Sequence, residues 1–313
     1  MLKNLAVVMD PISSIHPEKD TTLALLRAAQ RYGYRLYYLQ THDLFLDHGK
    51  PQAKAQLLEV FDHSEEYFHL HNALLLDLDA MDIILMRKDP PVDQQYIYAT
   101  WVLSHCQRAL VVNNPQALRD CNEKVFATRF PELCPLNLVS SNISDLKAFY
   151  RRYGDVIVKP LDGMGGKGIF HLNSDELNVN AILEMLTNTG SVPVMIQIFI
   201  PEISAGDKRI LLLYGEPVPW ALARIPTGDD KVRGNLAAGG VGKVVPLQER
   251  DYFICNRLKD TLKKRGIFFA GIDVIGDYLT EINITSPTCM QEISRATGMD
   301  IAGQFFTMLE KCS

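Results

Sequence analysis

The feature that most limits the fold of this chain is a change of pattern near residue 121. Before it, apolar runs alternate with helical stretches. Leu5 to Met9, Leu36 to Leu39, Ile83 to Met86 and Leu110 to Val112 read as strands. Between them, Asp20 caps a helix running through Leu23, Leu25, Leu26 and Ala29 to Gly33, and a second helix holds Tyr96, Tyr98, Trp101 and Leu103. Strands joined through helices build a parallel sheet, which binds ligands outside the carboxyl ends of its strands. Those ends carry Asp10-Pro11 and Arg87-Lys88-Asp89-Pro90-Pro91. Such polar tips read equally as turns or as substrate contacts.

From Asn122 the order is different. Helices over about Glu123 to Phe130 and Ser144 to Tyr153 lead to a strand from Val156 to Lys159, a glycine-rich loop and a strand from Ile169 to Leu172. A helix from about Asp175 to Asn188 precedes strands at Val194 to Ile200, Lys208 to Tyr214 and Pro219 to Arg224, the last two joined at Gly215-Glu216. Consecutive hairpins imply antiparallel sheet, so this part is α+β. The stretch from Thr41 to Asp79 carries His42, His48, His63, His69 and His71. Their spacing matches no ligand motif, and residues such as Gly49, Lys50, Pro51 and Gln52 read as surface loop.

With 313 residues, 47% of them apolar, the chain can bury a large core divided into two or three subdomains. A net charge of -5 without a basic run argues against nucleic-acid binding. The six cysteines are scattered and read as reduced thiols, the pattern of a cytoplasmic protein. The run from Leu5 to Met9 is too short for a signal-peptide core or a membrane span.

Three stretches carry chemistry. In Asp273-Val-Ile-Gly-Asp-Tyr-Leu-Thr-Glu281-Ile-Asn283, two short strands flank a Gly276-Asp277 turn. Glu281 and Asn283, two apart on a strand, share a face, and clustered oxygen ligands suit a hard cation such as Mg²⁺. Asp273 joins that face in an unbulged hairpin only if the loop has an odd number of residues, as with a loop from Gly276 to Tyr278. A two-residue loop would put it on the opposite side. The second stretch, Asp162-Gly-Met-Gly-Gly-Lys-Gly168, lies between two strands, and its glycines allow a backbone concavity for phosphate. It opens a strand rather than a helix, so it is neither a Walker loop nor a dinucleotide fingerprint. Lys159 stands just before it. The third stretch, Ile225 to Lys243, is rich in glycine, lacks apolar periodicity and reads as a lid. Cys289 has no basic neighbour in sequence and reads as structural.

Together these residues resemble the ATP-grasp superfamily, and within it the bacterial-type glutathione synthetases. The resemblance spans essentially the whole chain. It is carried by Val8-Met-Asp-Pro11, Leu85-Met-Arg-Lys-Asp-Pro-Pro91, Leu118-Arg-Asp-Cys-Asn-Glu-Lys124 and Lys159-Pro-Leu-Asp-Gly-Met-Gly-Gly166, with Gly206-Asp-Lys-Arg209, Gly215-Glu-Pro-Val-Pro219, Ala223-Arg-Ile-Pro226, Arg233-Gly-Asn-Leu-Ala-Ala-Gly-Gly240 and Leu279-Thr-Glu-Ile-Asn-Ile-Thr-Ser-Pro-Thr288.

The resemblance implies an N-terminal parallel α/β (pre-ATP-grasp) domain, residues 1–121, followed by an ATP-grasp domain, residues 122–313. The latter has two α+β subdomains, 122–200 and 201–313, with the lid at 225–243. It implies that Lys124 and Lys159 hold ATP phosphates beneath Asp162, Gly163, Met164, Gly165 and Gly166. Gln197, Ile198, Phe199 and Ile200 would form the adenine hinge, with Asp207 or Glu202 on the ribose side. Many relatives carry glutamate where this chain has Gln197. Asp273, Glu281 and Asn283 would hold Mg²⁺ or Mn²⁺. Arg209, Arg224 and Arg233 would steady an acyl phosphate formed from γ-glutamylcysteine before glycine attacks it. Arg87, Lys88, Asp89, Asn283, Ser286, Pro287 and Thr288 would face the substrates. A homotetramer is implied, without a diagnostic patch in the sequence. The alternatives are another carboxylate–amine ligase of the superfamily and a regulatory protein that binds ATP without using it.

Overall fold

The computed structural model describes residues 3–63, 65–163, 165–227 and 239–312. The first sheet holds β1 (Lys3–Val8), β2 (Tyr34–Leu39), β3 (Leu44–Asp47), β4 (Lys50–Val60), β5 (Phe68–Asp77), β6 (Ile83–Met86) and β7 (Leu110–Val112). β2, β1, β6 and β7 run parallel in that spatial order, with the carboxyl ends of β1 and β6 side by side. α1 (Thr21–Arg31) begins where the Asp20 carboxylate accepts the Leu23 amide at 2.6 Å. The N-cap therefore lies where the sequence places it, and it satisfies a donor that the first helical turn leaves free. α2 (Gln94–Leu103) and the short α3 (Pro115–Asp120) complete this part.

Most of the histidine-rich region is strand rather than loop: Lys50, Pro51 and Gln52 begin β4, and only His48 and Gly49 form the exposed turn before it. β4 pairs antiparallel with β2, β3 and β5, extending the parallel core with a long hairpin. Lysine, glutamine and proline in β4 and histidine and asparagine in β5 gave no strand signal, because β propensity depends on cross-strand context.

α4 (Glu123–Ala127) follows, and then a four-stranded antiparallel sheet in the order β10-β9-β11-β8, made of β8 (Asn137–Ser140), β9 (Val156–Pro160), β10 (Phe170–Leu172) and β11 (Val194–Ile198). α5 (Ile143–Tyr153) and α6 (Val179–Leu186) cover it, and Leu146, Val156, Val158, Leu172, Leu183, Val194 and Ile196 form its core. The third sheet, in the order β14-β13-β12-β15-β16, contains β12 (Asp207–Leu213), β13 (Glu216–Ile225), β14 (Val241–Pro246), β15 (Phe269–Ile275) and β16 (Tyr278–Asn283). α7 (Glu249–Lys264) packs on it through Ile254, Cys255, Leu258 and Leu262. α8 (Met290–Thr297) and α9 (Ile301–Cys312) return to pack on α1.

The span from Ile225 to Lys243 differs from a continuous loop. Residues 228–238, including Arg233, lie outside the described residues, but Val241 to Lys243 belong to β14 and pair with Ala223 to Ile225.

One side chain ties the first sheet to the third. Asn113, just after β7 and buried, donates from Nδ2 to the carbonyls of Phe269 (2.7 Å) and Ile284 (2.6 Å). Its Oδ1 accepts the amides of Phe268 and Phe269, both at 2.8 Å. Only a carboxamide offers two donors and a two-fold acceptor in that arrangement. Asn113→Asp turns an oxygen toward two buried carbonyls and should cost about 2–6 kcal/mol, since each orphaned buried group costs about 1–3. A lowered midpoint in thermal unfolding checks this, and an unchanged midpoint would show that the clasp contributes little.

Candidate active site

A cavity of about 860 Å³ lies among the three sheets. Its floor is a row of charges set by strand register. On β12, Arg209 stands opposite Asp273 of β15, and Asp273 stands opposite Glu281 of β16. Asp207, two residues earlier on β12 and on the same face, stands opposite Arg224 of β13. The side chains meet as the register dictates. Arg209 Nη2 donates to Asp273 Oδ2 at 3.0 Å while its Nε reaches the other carboxylate oxygen. Arg224 Nη2 contacts Asp207 and also lies 3.0 Å from Asp273 Oδ2. Gly271 makes room for this row, because a Cβ there would lie 2.9 Å from Arg209 Cδ.

The hairpin resolves the register question by a route other than an odd loop. Ile275 pairs with Tyr278, leaving the two-residue turn Gly276-Asp277, yet Asp273 pairs with Glu281 because the register shifts beyond Val274 and Leu279. Thr280 is the extra residue, and its hydroxyl donates to the Asp273 carbonyl at 3.1 Å. A β-bulge thus places the carboxylates across from each other despite the even loop. Asn283 Nδ2 lies 3.3 Å from Asp273 Oδ2.

The lysines close the row from the second sheet. Lys124, in the first turn of α4, donates to the Gly163 carbonyl at 2.8 Å, contacts Glu123 and lies 3.5 Å from Glu281. Lys159 on β9 lies 3.9 Å from Glu281. In the loop above them, Gly165 and Gly166 have φ of 64° and 81°, the left-handed region that glycine enters without strain. At Gly163 a Cβ would sit 2.8 Å from Pro160 Cγ. Met164 lies outside the described residues.

Electrostatics follow from burial and pairing. Burial alone would raise the Asp273 carboxyl, but Arg209 and then Arg224 overcome that and hold it well below the ordinary range. Asp207 is pushed up to about 7, chiefly by burial, with Asp273 and Glu281 adding to it against Arg224. Its Oδ1 is buried without a partner among the described residues. Burial, and then the Glu281 charge, raise Glu123 to about 7. Burial lowers Lys159, whereas Glu281 and Glu123 outweigh burial at Lys124 and raise it. Cys289 lines the cavity, and burial raises its thiol despite nearby Arg209 and Arg224.

Most of the residues singled out in the sequence converge here. Gln197, Phe199, Ile200 and Asp207 line the cavity, as do Asp89, Ser286 and Thr288. Arg87 does not reach the cavity wall. It is buried, donating from Nη2 to the Pro287 carbonyl at 2.9 Å and from Nε to Thr22 Oγ1 at 3.1 Å. Lys88 pairs with Asp10 at 2.9 Å. Asp162, Ile198 and Pro287 also stay outside the lining, and Glu202 is exposed. The sequence reading gave no site role to Glu123, Glu292, Ser14, Ile15, His16, Lys19 or Asp20, which line the cavity too. Of these only Glu123 had a signal, its position beside Lys124.

Comparison with known proteins decides what this cavity belongs to. The family model described as prokaryotic glutathione synthetase, N-terminal domain, matches residues 3–119, and the model for the ATP-grasp domain of the same family matches residues 123–298. The chain belongs to the prokaryotic glutathione synthetase family. It is 48% identical over 309 residues to a glutathione synthetase of Vibrio parahaemolyticus, covering 98% of each chain. It is 49% identical over 310 residues to one from Photorhabdus laumondii, again covering 98% of each. Among solved structures, the D-cycloserine synthetase DcsG superposes with a TM-score of 0.69 at 13% identity, over 98% of this chain and 99% of that one. The ATP-grasp ligase PsnB with a minimal precursor gives a TM-score of 0.65 at 14% identity, over 100% of both chains. At that identity the likeness concerns the fold, which is the ATP-grasp fold. As a member of the glutathione synthetase family the chain is an ATP-dependent ligase. Among its described residues no helix is long and apolar enough to cross a membrane.

Proposed function

We propose that the cavity joins γ-glutamylcysteine to glycine, using ATP and passing through an acyl phosphate. The observation that carries this reading is the meeting of two lysines and two arginines, all buried, on one floor beneath a glycine-rich loop. In the first step a substrate carboxylate oxygen bonds to the γ-phosphorus of ATP, the bond to the bridging oxygen breaks, and ADP departs. Both reactants are anions, so the protein's contribution is positioning and charge neutralisation. Lys124 and Lys159 neutralise phosphate oxygens, and the backbone amides of Gly163, Gly165 and Gly166 approach them closely. Gln197 to Ile200 hold the adenine. In the second step the glycine amine bonds to the acyl carbon and phosphate leaves with the former carboxylate oxygen. Arg209 and Arg224 stabilise the oxyanion, and Arg233, within the proposed lid, would join them.

Asp273, Glu281 and Asn283 suit a divalent cation by donor type, two carboxylates and an amide in adjacent register. Among the described residues no group of three or more His, Cys, Asp and Glu side chains converges as a ready metal cage. Asp273 is instead neutralised by two guanidiniums and Glu281 by two ammonium groups, so phosphate oxygens would complete the coordination. Mg²⁺ or Mn²⁺, when bound, supplies charge neutralisation at the transferred phosphoryl group.

Asp89, Ser286 and Thr288, which line the cavity, would meet the peptide substrate, and Lys88, outside the lining, would act through its partner Asp10. Arg87 would act by fixing the Pro287 carbonyl in the segment that carries Ser286 and Thr288. The proposed units are residues 1–121, 122–200 and 201–313. α4, from the middle unit, packs on β16, and α8 and α9 pack on the first unit, so residues of all three line the cavity, while its charged floor comes from the second and third.

The test is an assay with ATP, Mg²⁺, γ-glutamylcysteine and glycine that measures ADP, phosphate and peptide together. Equal amounts of all three are expected. Turnover only with a different acid or amine would assign another ligase activity, and ATP binding without product would indicate a regulatory role.

A further inference from the structure

The second sheet carries, on its cavity side, an aromatic contact to which the ligase reading gives no part. His171 on β10 stands opposite Ile157 on β9, and Ile157 stands opposite Gln197 on β11. Directly paired residues of an antiparallel sheet share a face. Ile157 and Gln197 line the cavity, whereas the other face packs Val156, Val158, Leu172, Val194 and Ile196 into the core. His171 therefore lies on the cavity side. Its ring stacks on that of Phe199, with centroids 4.2 Å apart and planes 23° from parallel. Phe199 lines the cavity and His171 does not. Asp155, two residues before Ile157 and on the same face, holds both rings. Its carboxylate accepts from His171 Nε2, and its carbonyl accepts the Phe199 amide at 3.0 Å.

We propose that His171 is a positioning residue for the nucleotide: held by Asp155, it braces the Phe199 ring at the adenine end of the cavity and so sets the affinity for the base. The inference rests on the reading of Gln197 to Ile200 as the adenine hinge, and it adds a residue outside that hinge. Along β9 one face carries Lys159, Ile157 and, just before the strand, Asp155. A strand rises about 3.3 Å per residue, so Asp155 lies roughly 13 Å from Lys159, a distance that a nucleotide lying along the strand covers from phosphates to base. An ionised carboxylate can only accept, which fixes a proton on His171 Nε2 and with it the orientation of the imidazole. A phenyl ring stacked on that fixed imidazole keeps one rotamer, and a base that meets a fixed ring has less ordering to supply on binding.

Calorimetry with ADP and with inorganic tripolyphosphate, which has a phosphate chain and no base, separates the two ends of the site. His171→Ala should weaken ADP by about fivefold, the order of a stacked aromatic pair, and leave tripolyphosphate within about twofold. His171→Phe returns a flat ring that needs no polar partner, and should bring ADP back to within about twofold of the parent. Asp155→Ala, at a half-exposed side chain, frees the imidazole to turn toward water and should weaken ADP by about threefold. Phe199→Ala should weaken ADP at least as much as His171→Ala. If Phe199→Ala weakens ADP and a folded His171→Ala does not, the hinge stands and the brace is overturned. If neither weakens ADP, the adenine reading of the hinge fails and the brace with it. Equal weakening of ADP and tripolyphosphate by His171→Ala would also overturn the proposal, since it marks damage to the sheet. So would a His171→Phe that binds ADP as weakly as His171→Ala. If His171→Ala does not fold, Asp155→Ala decides alone, and unchanged ADP binding there overturns the brace.

Discussion

Arg224→Ala should lower kcat by at least about a hundredfold, because removing one preorganised donor to a developing oxyanion typically costs about 3 kcal/mol. Arg224 contacts Asp207 and Asp273 at once, so the substitution also leaves two buried carboxylates short of a partner. Breaking a buried ion pair from one side costs about 3–5 kcal/mol. A fall in both kcat and the unfolding midpoint is therefore expected. Arg224→Lys separates the two effects: it returns a charge to Asp207 but not the fork that reaches both carboxylates. It should restore much of the stability and little of the rate. Equal recovery of both would mean that Arg224 serves the fold and not the reaction.

Glu281→Gln should reduce metal-dependent turnover by about a hundredfold or more, since a bound divalent ion contributes several kcal/mol at a phosphoryl group. The amide keeps the shape of the side chain and loses its charge. Lys124 and Lys159, which lie 3.5 Å and 3.9 Å from Glu281, then lose a carboxylate neighbour and meet phosphate with less competition. Binding of ADP without metal, followed by calorimetry, should therefore be unchanged or tighter, while the metal's enhancement of that binding disappears. Turnover close to that of the parent at ordinary Mg²⁺ would remove Glu281 from the metal site.

Why some of this was legible in the sequence and some was not has physical reasons. β6 and β7 occupy the residues expected of them, because continuous apolar runs buried between helices leave a strong local signal. The Asp20 cap was legible for a similar reason, as one side chain bonds an amide three residues away. β3, β4 and β5 were not, because their polar residues blur the apolar pattern and cross-strand context settles them as strands. The bulge at Thr280 was equally hidden. Spacing alone left Asp273 on either face, and only the paired strands show one residue opposite two. The clasp at Asn113 joins positions 156 and 171 residues apart, and nothing local marks it. Arg87 was read as a possible substrate contact from its place at a strand end. The fold instead buries it behind the Pro287 carbonyl, a difference of depth that a linear pattern does not encode.

The site itself was legible largely through family resemblance, and the geometry adds what resemblance lacked. The four cations of the floor are already paired with carboxylates, so substrate and nucleotide anions meet preformed, oriented donors rather than free side chains. Glu123, given no site role in the sequence reading, holds Lys124 beside the glycine-rich loop.

The most direct test of an acyl-phosphate ligase follows an oxygen atom. γ-Glutamylcysteine labelled with heavy oxygen in the carboxylate that reacts is incubated with the enzyme, ATP, Mg²⁺ and glycine, and the released phosphate is analysed by mass spectrometry. The account predicts one labelled oxygen per phosphate, with ADP formed in equal amount to peptide. Release of AMP and pyrophosphate, or unlabelled phosphate alongside peptide, would contradict it.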